Sequence, residues 1–294
     1  MNDSVRQDLE ALVRCVNPSC VARWPPQGEV RILRWDIDGA SYFWRIGGGG
    51  IGWSDPGPSH CTLRCSGAVL GKLARREIPF FLAFWATGDV QFEGAFSDAF
   101  GLGYLFLGDQ RSRRVVFLAH CFLNMNTRFP EGAESAGAHV PLGQLLLHSG
   151  VGIVQMPCPE FLCLGLEKTG WGVGSADSIR AGFRRVAEGV ADQVAAYLAS
   201  GFEVVGIIGM NPSPSCGVEV SKGKATMLGL SRDVSERPEP GVFIEELTSL
   251  LQERALSLPP MFGVRRTLVG ESGLEEQLQR VRDRLSGLRP QAGH

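Results

Sequence analysis

The segment FEVVGIIGMNPSPSCG (202–217) determines the predicted fold of this 294-residue chain. Residues 202–208 are almost wholly apolar, which is typical of a strand buried on both faces of a parallel sheet. The loop that follows contains Pro212 and Pro214, which restrict the backbone on the approach to Cys216. The segment therefore predicts an interior strand with a cysteine just beyond its carboxyl end.

Two upstream segments repeat this arrangement. VVFLAHC (115–121) and VGIVQMPC (151–158) each combine a short apolar strand with a cysteine that follows it. Helical patterns alternate with the strands, and such alternation predicts a parallel sheet covered by helices. We therefore expect an α/β fold whose C-terminal domain is Rossmann-like. The predicted helices lie at 140–149, 178–199, 242–256 and 274–285, and a further short strand lies at 263–267.

The first 110 residues follow a different pattern, which is typical of an α+β domain. Asp38-Gly39, between two alternating segments, is a strong signal for a β-hairpin. The polar segment GDQRSRR (108–114) indicates a linker, so we predict one domain over residues 1–112 and another over 113–294. After an amphipathic opening segment, the predicted strands lie at 29–35, 40–46, 61–64 and 89–93, and the predicted helices at 68–76, 79–86 and 97–106.

The charge and hydropathy of the chain argue against nucleic acids and membranes as partners. The chain carries 29 Lys and Arg against 31 Asp and Glu, whereas a nucleic-acid-binding domain would usually be basic. The N-terminus mixes acids and bases and lacks the apolar segment of a secretory signal. The longest apolar run, Ile78–Ala86, is too short to cross a bilayer. We therefore expect a cytoplasmic protein with neither a nucleic-acid nor a membrane partner.

The chemistry is predicted to centre on three of the eight cysteines. Cytoplasmic thiols stay reduced, so a framework of disulfides is not expected. Cys121, Cys158 and Cys216 each follow a strand, and ligands bind at the carboxyl ends of the strands in an open parallel sheet. Neighbouring strands lie about 4.8 Å apart, so the three thiols are expected to surround one metal site. Taken singly, each of these cysteines also fits a buried structural residue.

Three thiolates without a fourth ligand predict an open coordination position. An open zinc site is catalytic rather than structural. Iron–sulfur clusters usually take four cysteines, so three leave one iron without a protein ligand. Cys163 is an alternative fourth ligand, although its apolar neighbours also fit a packed thiol.

Polar residues close to the cysteines are candidates for handling protons and substrate. Glu160 and Ser213 are the candidate acid–base groups; the alternatives are an acid at a helix start and an ordinary turn residue. Gly217 is predicted to allow a large inorganic group to approach closely. His139 is expected on a helix surface. After Cys121, the candidates for binding substrate or for capping the loop are Asn124, Asn126 and Arg128.

Three motifs carry a resemblance to a known family. CFLNMNTR (121–128), PCPEF (157–161) and SPSCG (213–217) resemble the 2-thiouracil desulfurase family over residues 115–247. The resemblance implies an oxygen-sensitive [4Fe-4S] cluster on Cys121, Cys158 and Cys216, with the fourth iron free for a thiocarbonyl sulfur. It also implies Glu160 as the acid–base glutamate and Ser213 as the active-site serine. The family's arginine-tyrosine-aspartate-glycine run is absent, since NMNTRFPEG (124–132) stands there instead, so the substrate can differ from thiouracil.

A second resemblance concerns the N-terminal domain. The segment CTLRCSGAVLGKLARREIPFFLAFWATGDVQFEGAFSDAFGL (61–102) resembles the sterol-carrier-protein type of lipid-binding domain. This resemblance implies an apolar ligand there. The alternative is that the aromatic side chains simply fill a core.

These features together predict an iron–sulfur desulfurase that acts on a small thiocarbonyl compound and releases hydrosulfide. Two alternatives stay open. One is a non-catalytic sulfur or cluster carrier fused to a lipid-binding module, and the other is a mononuclear zinc hydrolase. A homodimer is a further possibility.

Overall fold

A computed structural model of the chain describes residues 3–14, 16, 24–26, 28–47, 50–106, 111–129, 132–133, 135–265 and 271–286. The chain divides into two compact units, Met1–Gln110 and Arg111–His294. The sequence predicted the domain boundary between residues 112 and 113, which is two residues after the boundary between Gln110 and Arg111 in the structure. The described residues do not include Cys15 and Cys20. They also leave out residues 108–110 of the predicted linker and residues 266–267 at the end of the last predicted strand.

The first unit contains a five-stranded mixed sheet. Asp38 and Gly39 both have positive φ angles, +48° and +84°, as the two-residue hairpin turn requires. The strands are β1 (Arg31–Ile37), β2 (Ala40–Gly47), β3 (Gly50–Trp53), β4 (Cys61–Cys65) and β5 (Gln91–Gly94). Their order is β3-β2-β1-β4-β5, and β1 and β4 run parallel. The glycine-rich strand β3 was not expected, because its sequence lacks an alternating pattern.

The helices of the first unit close an aromatic core. They are α1 (Asp3–Arg14), α2 (Gly67–Ala74), a π-helical segment (Leu82–Ala86) and α3 (Phe96–Phe106). The amphipathic pattern of α1 is confirmed, since Leu9 and Leu12 are buried. The Trp35 ring lies 5.6 Å from that of Trp44 and 6.1 Å from that of Phe106, in edge-to-face contact.

The second unit confirms the predicted α/β class. Its parallel sheet contains β6 (Arg114–Leu118), β7 (Gly152–Gln155), β8 (Glu203–Asn211) and β11 (Met261–Arg265) in the order β11-β8-β6-β7. The interior strands β6 and β8 are almost completely buried, in agreement with their apolar sequences. A separate two-stranded ribbon pairs β9 (Ser221–Lys222) with β10 (Glu236–Arg237).

The order of the parallel strands fixes where a ligand site can form. The chain passes from β6 to β7 on one side and then back across β6 to β8. Because crossovers are right-handed, the connecting helices lie on opposite faces of the sheet. The gap between the carboxyl ends of β6 and β8 is therefore the topological switch point, where open α/β sheets bind ligands.

Seven α-helices connect and cover the strands within the described part of this unit. They are α4 (His120–Leu123), α5 (Val140–His148), α6 (Pro159–Leu164), α7 (Ala176–Ala199), α8 (Lys224–Met227), α9 (Val242–Glu253) and α10 (Glu271–Ser286). The expectation that His139 lies on a helix surface is wrong. Its ring is buried and accepts a hydrogen bond from Leu142 N at 3.3 Å, which caps α5.

None of the helices in the described ranges has the length and apolar character needed to cross a membrane.

The first prediction concerns the close packing of the loop after β8. This loop folds back so that Met210 N donates to Cys216 O at 3.1 Å, and a Cβ at Gly209 would lie only 2.2 Å from the same oxygen. We expect Gly209→Ala to lower the free energy of unfolding by about 1–3 kcal/mol. As the control, Gly189→Ala in α7 meets no atom within 4 Å, and it should leave stability unchanged or raise it by up to about 1 kcal/mol. Denaturant titration tests both variants, and equal stability of the two would contradict the packing described.

Candidate functional site

A cavity of about 470 Å³ lies at the carboxyl edge of the parallel sheet, and Cys121, Cys158 and Cys216 all line it. Glu160 and Ser213 line the same cavity. Five residues predicted from distant parts of the sequence thus line one cavity.

Each cysteine is held by the element that follows its strand. Cys121 lies in the short helix α4, with its Sγ 3.5 Å from the Sδ of Met210 on β8. Cys158 is the N-cap of α6, and its Sγ accepts a hydrogen bond from Phe161 N at 3.4 Å. The Cys216 backbone N–H donates to Ser213 Oγ at 3.1 Å. Local backbone structure therefore fixes the position of all three thiols.

The Cys216 loop is anchored on both sides. Asn211 Oδ1 accepts from Val218 N at 2.9 Å, and the Glu219 carboxylate accepts from Gly263 N at 2.9 Å. The predicted role of Gly217 is wrong. A Cβ there would lie 2.2 Å from Val220 O, so the glycine accommodates the protein's own backbone and not a bound group.

Burial makes the three thiols weaker acids than a cysteine exposed to water. It raises the pKa of Cys121 to about 12 and raises the pKa of Cys216 well above its usual value. Burial also raises the pKa of Cys158, while the Lys168 ammonium, 3.6 Å from its Sγ, opposes that rise. The cysteines are therefore neutral thiols by themselves, and a metal that binds them must displace their protons.

A chain of hydroxyl groups connects the Cys216 loop to Glu160. Ser215 Oγ donates to Glu160 Oε1 at 2.5 Å, and since this uses its only proton, Ser213 Oγ is the donor in the 3.2 Å bond to Ser215 Oγ. The other Glu160 oxygen accepts from Trp171 Nε1 at 3.4 Å and lies 3.7 Å from Lys168 Nζ. Glu160 is buried and belongs to a network that can move a proton between the cavity wall and a carboxylate.

The other candidates from the sequence lie in different places. Arg128 lines the cavity, whereas Asn124 and Asn126 are not among its lining residues. Asn124 Oδ1 accepts from Asn126 N at 3.2 Å, which caps the turn that follows. Cys163 is exposed, and its sulfur packs against Gly182 of α7. Cys163 does not line the cavity, and the substrate-binding roles of Asn124, Asn126 and Arg128 remain predictions.

Several lining residues were not predicted from the sequence. Lys168 and Trp171 belong to the loop after α6, and Lys222 belongs to the short strand β9. Ser215 lies in the SPSCG motif, two residues after Ser213. This spacing was the only sign in the sequence that Ser215 belongs to the site. The remaining three residues reach the cavity through tertiary structure, so no local pattern marks them.

Among the residues that the structure describes, no three His, Cys, Asp or Glu side chains form a ready-made site for a single metal ion.

No family model matches the chain. An uncharacterized protein of Methanocaldococcus jannaschii, MJ0003, is 24% identical over 115 residues, which cover 38% of this chain and 73% of that protein. Among solved structures, sterol carrier protein 2 like 2 from Aedes aegypti is 14% identical, covers 34% of this chain and 94% of its own, and gives a TM-score of 0.25. Sterol carrier protein 2 from Yarrowia lipolytica is 14% identical over 35% of this chain and 75% of its own, with a TM-score of 0.21.

A different solved structure is also similar in part. The sec-alkylsulfatase Pisa1 from Pseudomonas sp. is 16% identical over 33% of this chain, with a TM-score of 0.25. This chain spans only 15% of the sulfatase. The desulfurase resemblance remains a prediction.

The second prediction uses the contrast in exposure between the cysteines. In metal-free protein at pH 8, we expect an alkylating reagent to modify the exposed Cys163 before Cys121 or Cys216. Because burial raises the pKa of Cys121 to about 12, its thiolate fraction and labelling rate should keep rising as the pH increases above 8. Peptide mapping by mass spectrometry measures the order, with Cys163→Ser as the control. Early labelling of Cys121 would show that it is not buried.

Proposed function

We propose that this protein is an enzyme that hydrolyses the C=S bond of a small thiocarbonyl compound with a [4Fe-4S] cluster held by Cys121, Cys158 and Cys216. The observation that carries the proposal is that these three thiols share one cavity with Glu160 and Ser213. A buried structural cysteine has no need for either of these neighbours.

The donor set fits such a cluster. Iron–sulfur clusters are bound by thiolates, and three of them leave one iron without a protein ligand. Buried thiolates also need positive charge nearby, because their desolvation is costly. Arg128 provides such charge at Cys121, and Lys168 provides it at Cys158. Both cations line the cavity.

The overall reaction is balanced without a redox partner. Water and a thiocarbonyl give a carbonyl product and hydrogen sulfide, so one C=S bond is replaced by one C=O bond and two protons move from oxygen to sulfur. When bound, the cluster supplies a Lewis-acidic iron for the substrate sulfur.

The chain's own residues would move the protons. In this proposal Glu160 accepts a proton from the attacking water, and the hydroxyls of Ser215 and Ser213 carry it between the carboxylate and the cavity wall. Lys168 and Trp171 hold the second carboxylate oxygen in place. Glu160 then returns this proton to the departing sulfur, and the second proton takes the same route from the hydroxyl oxygen to the sulfur as the C=O bond forms.

The third prediction tests the cluster ligands. We expect Cys216→Ala to abolish both the visible absorbance of the anaerobically purified protein and the release of hydrosulfide from 2-thiouracil and from small thioamides. Cys163→Ala should retain both, since Cys163 does not line the cavity. Turnover by Cys216→Ala without a cluster refutes the proposal. A colourless wild-type protein that contains zinc would favour a mononuclear hydrolase, and a cluster without any turnover would favour a carrier.

The fourth prediction separates proton transfer from cluster binding. We expect Glu160→Gln to lower kcat roughly 10²–10⁴-fold while the iron and sulfide content stays unchanged. The control is Glu167→Gln, a change to an exposed acid that does not line the cavity, and it should have the activity of the wild type. Equal activity of the two variants would exclude Glu160 from proton transfer.

We also propose that the first unit binds an apolar ligand. The indole Nε1 of Trp35 is completely buried and has no hydrogen-bond partner among the described residues, so an acceptor oxygen from a ligand would satisfy it. Exposed aromatic side chains in the same unit include Trp85, Phe96 and Phe100. Such apolar patches often mark ligand or partner sites. Assembly as a homodimer remains a separate prediction, which sedimentation analysis of the full chain tests.

The fifth prediction concerns the buried indole N–H of Trp35, which has no hydrogen-bond partner among the described residues. We expect saturable binding of a fluorescent fatty acid to the full chain, and we expect Trp35→Phe to weaken it several-fold, as one lost hydrogen bond would. Trp53→Phe, a change to a half-exposed ring, is the matched control. A failure to bind, or equal binding by both variants, would contradict this role of Trp35.

A further inference from the structure

Lys224 is a buried lysine that has no part in the reaction proposed above. Its side chain is only 9% exposed, and burial of an ammonium group is costly unless acceptors surround it. The ammonium donates to Glu245 Oε1 at 2.5 Å and to Pro240 O at 2.9 Å, and it lies 3.4 Å from Glu239 Oε2. Its charge is therefore compensated from three sides, and these contacts fix its position.

The segment that contains Lys224 forms one wall of the three-cysteine cavity. Lys222, Gly223 and Val234 line the cavity, whereas Lys224 is not among the lining residues. A Cβ at Gly223 would lie 3.7 Å from the Trp171 ring and 3.8 Å from the Val234 side chain, so these groups pack as one surface. Residues 221–237, which run from β9 to β10, are called the outer wall below.

The two strands of the outer wall depend on polar contacts. Met227 anchors only the middle of the wall in the hydrophobic core. β9 and β10 pair through two residues each, and a ribbon this short is marginal in water without further support. Arg265 binds Glu236 on β10 at 2.5 Å, but both side chains are more than a third exposed, and exposed ion pairs contribute little.

The contacts of Lys224 provide buried support for β9. Glu239, which lies beside the Lys224 ammonium, also accepts a hydrogen bond from the buried Ser221 hydroxyl on β9 at 3.2 Å. Lys224 itself follows β9 by two residues. The lysine and Glu239 together therefore hold the strand from which Lys222 reaches the cavity.

The partners of Lys224 belong to the same helix end that holds the Cys216 loop. Pro240 lies just before α9, and Glu245 lies in its first turn. The first backbone N–H groups of this segment donate to the loop, from Gly241 to Gly217 O at 2.9 Å, from Val242 to Pro214 O at 2.9 Å and from Phe243 to Ser215 O at 3.0 Å. Lys224 thus joins the outer wall to a frame whose place beside Cys216 is fixed by backbone hydrogen bonds.

We propose that Lys224 is a positioning residue that holds the outer wall at its working distance from the three cysteines. It acts on substrate binding through the wall and does not touch the substrate. The inference rests on the proposed desulfuration, because it assigns the wall a part in binding that substrate.

The test compares the anaerobically purified full chain with Lys224→Met, which keeps the length of the side chain and removes its charge. We expect KM for 2-thiouracil to rise at least about tenfold while kcat stays within about threefold, because the wall contributes to binding and not to the chemical step. Iron and sulfide should stay unchanged, since α9 holds the Cys216 loop through its own backbone. Amide hydrogen exchange should become at least about tenfold faster in residues 221–237 and stay unchanged in residues 241–247.

Three further variants make the test specific. Glu245→Gln weakens the same contact but keeps an acceptor oxygen, so it should shift KM and exchange in the same direction by a smaller factor, and it serves also if Lys224→Met fails to fold. Lys224→Arg keeps the charge and should recover most of the wild-type KM. The matched control is Glu246→Gln, a change to the next acid on α9, which pairs with Arg180 and Arg184 of α7; it should behave like the wild type.

Unchanged KM or unchanged exchange in both Lys224→Met and Glu245→Gln overturns the inference. A joint loss of kcat and cluster in these variants also overturns it, because the lysine would then have a general structural role. If the wild type shows no turnover, the desulfurase proposal fails, and the dissociation constant of 2-thiouracil from calorimetry takes the place of KM. The inference then fails as well only if the wild type does not bind 2-thiouracil or if Lys224→Met binds it equally tightly, so the two failures are distinguishable.

Discussion

The parallel pairing of β6 with both β7 and β8 is the constraint on which the site depends. In this arrangement three strands end at the same edge, and each strand is followed directly by the segment that carries a cysteine. Had any pair been antiparallel, its cysteine would have been carried to the opposite edge of the sheet. The return of the chain across β6 opens the switch point, which explains why the cavity of the three cysteines forms between these loops.

Much of this arrangement could be predicted from the sequence because local patterns encode it. The buried strand β8 is recognisable from its apolar run, and the position of Cys216 after that run places it at the ligand-binding edge. The hairpin turn at Asp38-Gly39 is equally local. Strand β3 was missed because two glycines remove the alternation that marks a strand, although pairing with β2 still forms it.

The rest of the site depends on tertiary contacts that no local pattern reports. Lys168 and Lys222 reach the cavity from a loop and a two-residue strand, and neither segment has a distinctive motif. Gly217 was predicted to make room for a ligand, yet the space is taken by the backbone of Val220. His139 was expected on a helix surface, but its ring is buried and caps α5. Sequence predicts which element carries a residue, and the folded chain decides what that residue contacts.

The central proposal is that three buried cysteines at one sheet edge bind an iron–sulfur cluster after losing their protons. Quantification of iron, zinc and acid-labile sulfide per chain, after purification without oxygen, tests this claim most directly. The account predicts roughly four iron and four sulfide per chain, and oxygen should destroy both. A protein that contains stoichiometric zinc, or iron without sulfide, would contradict it.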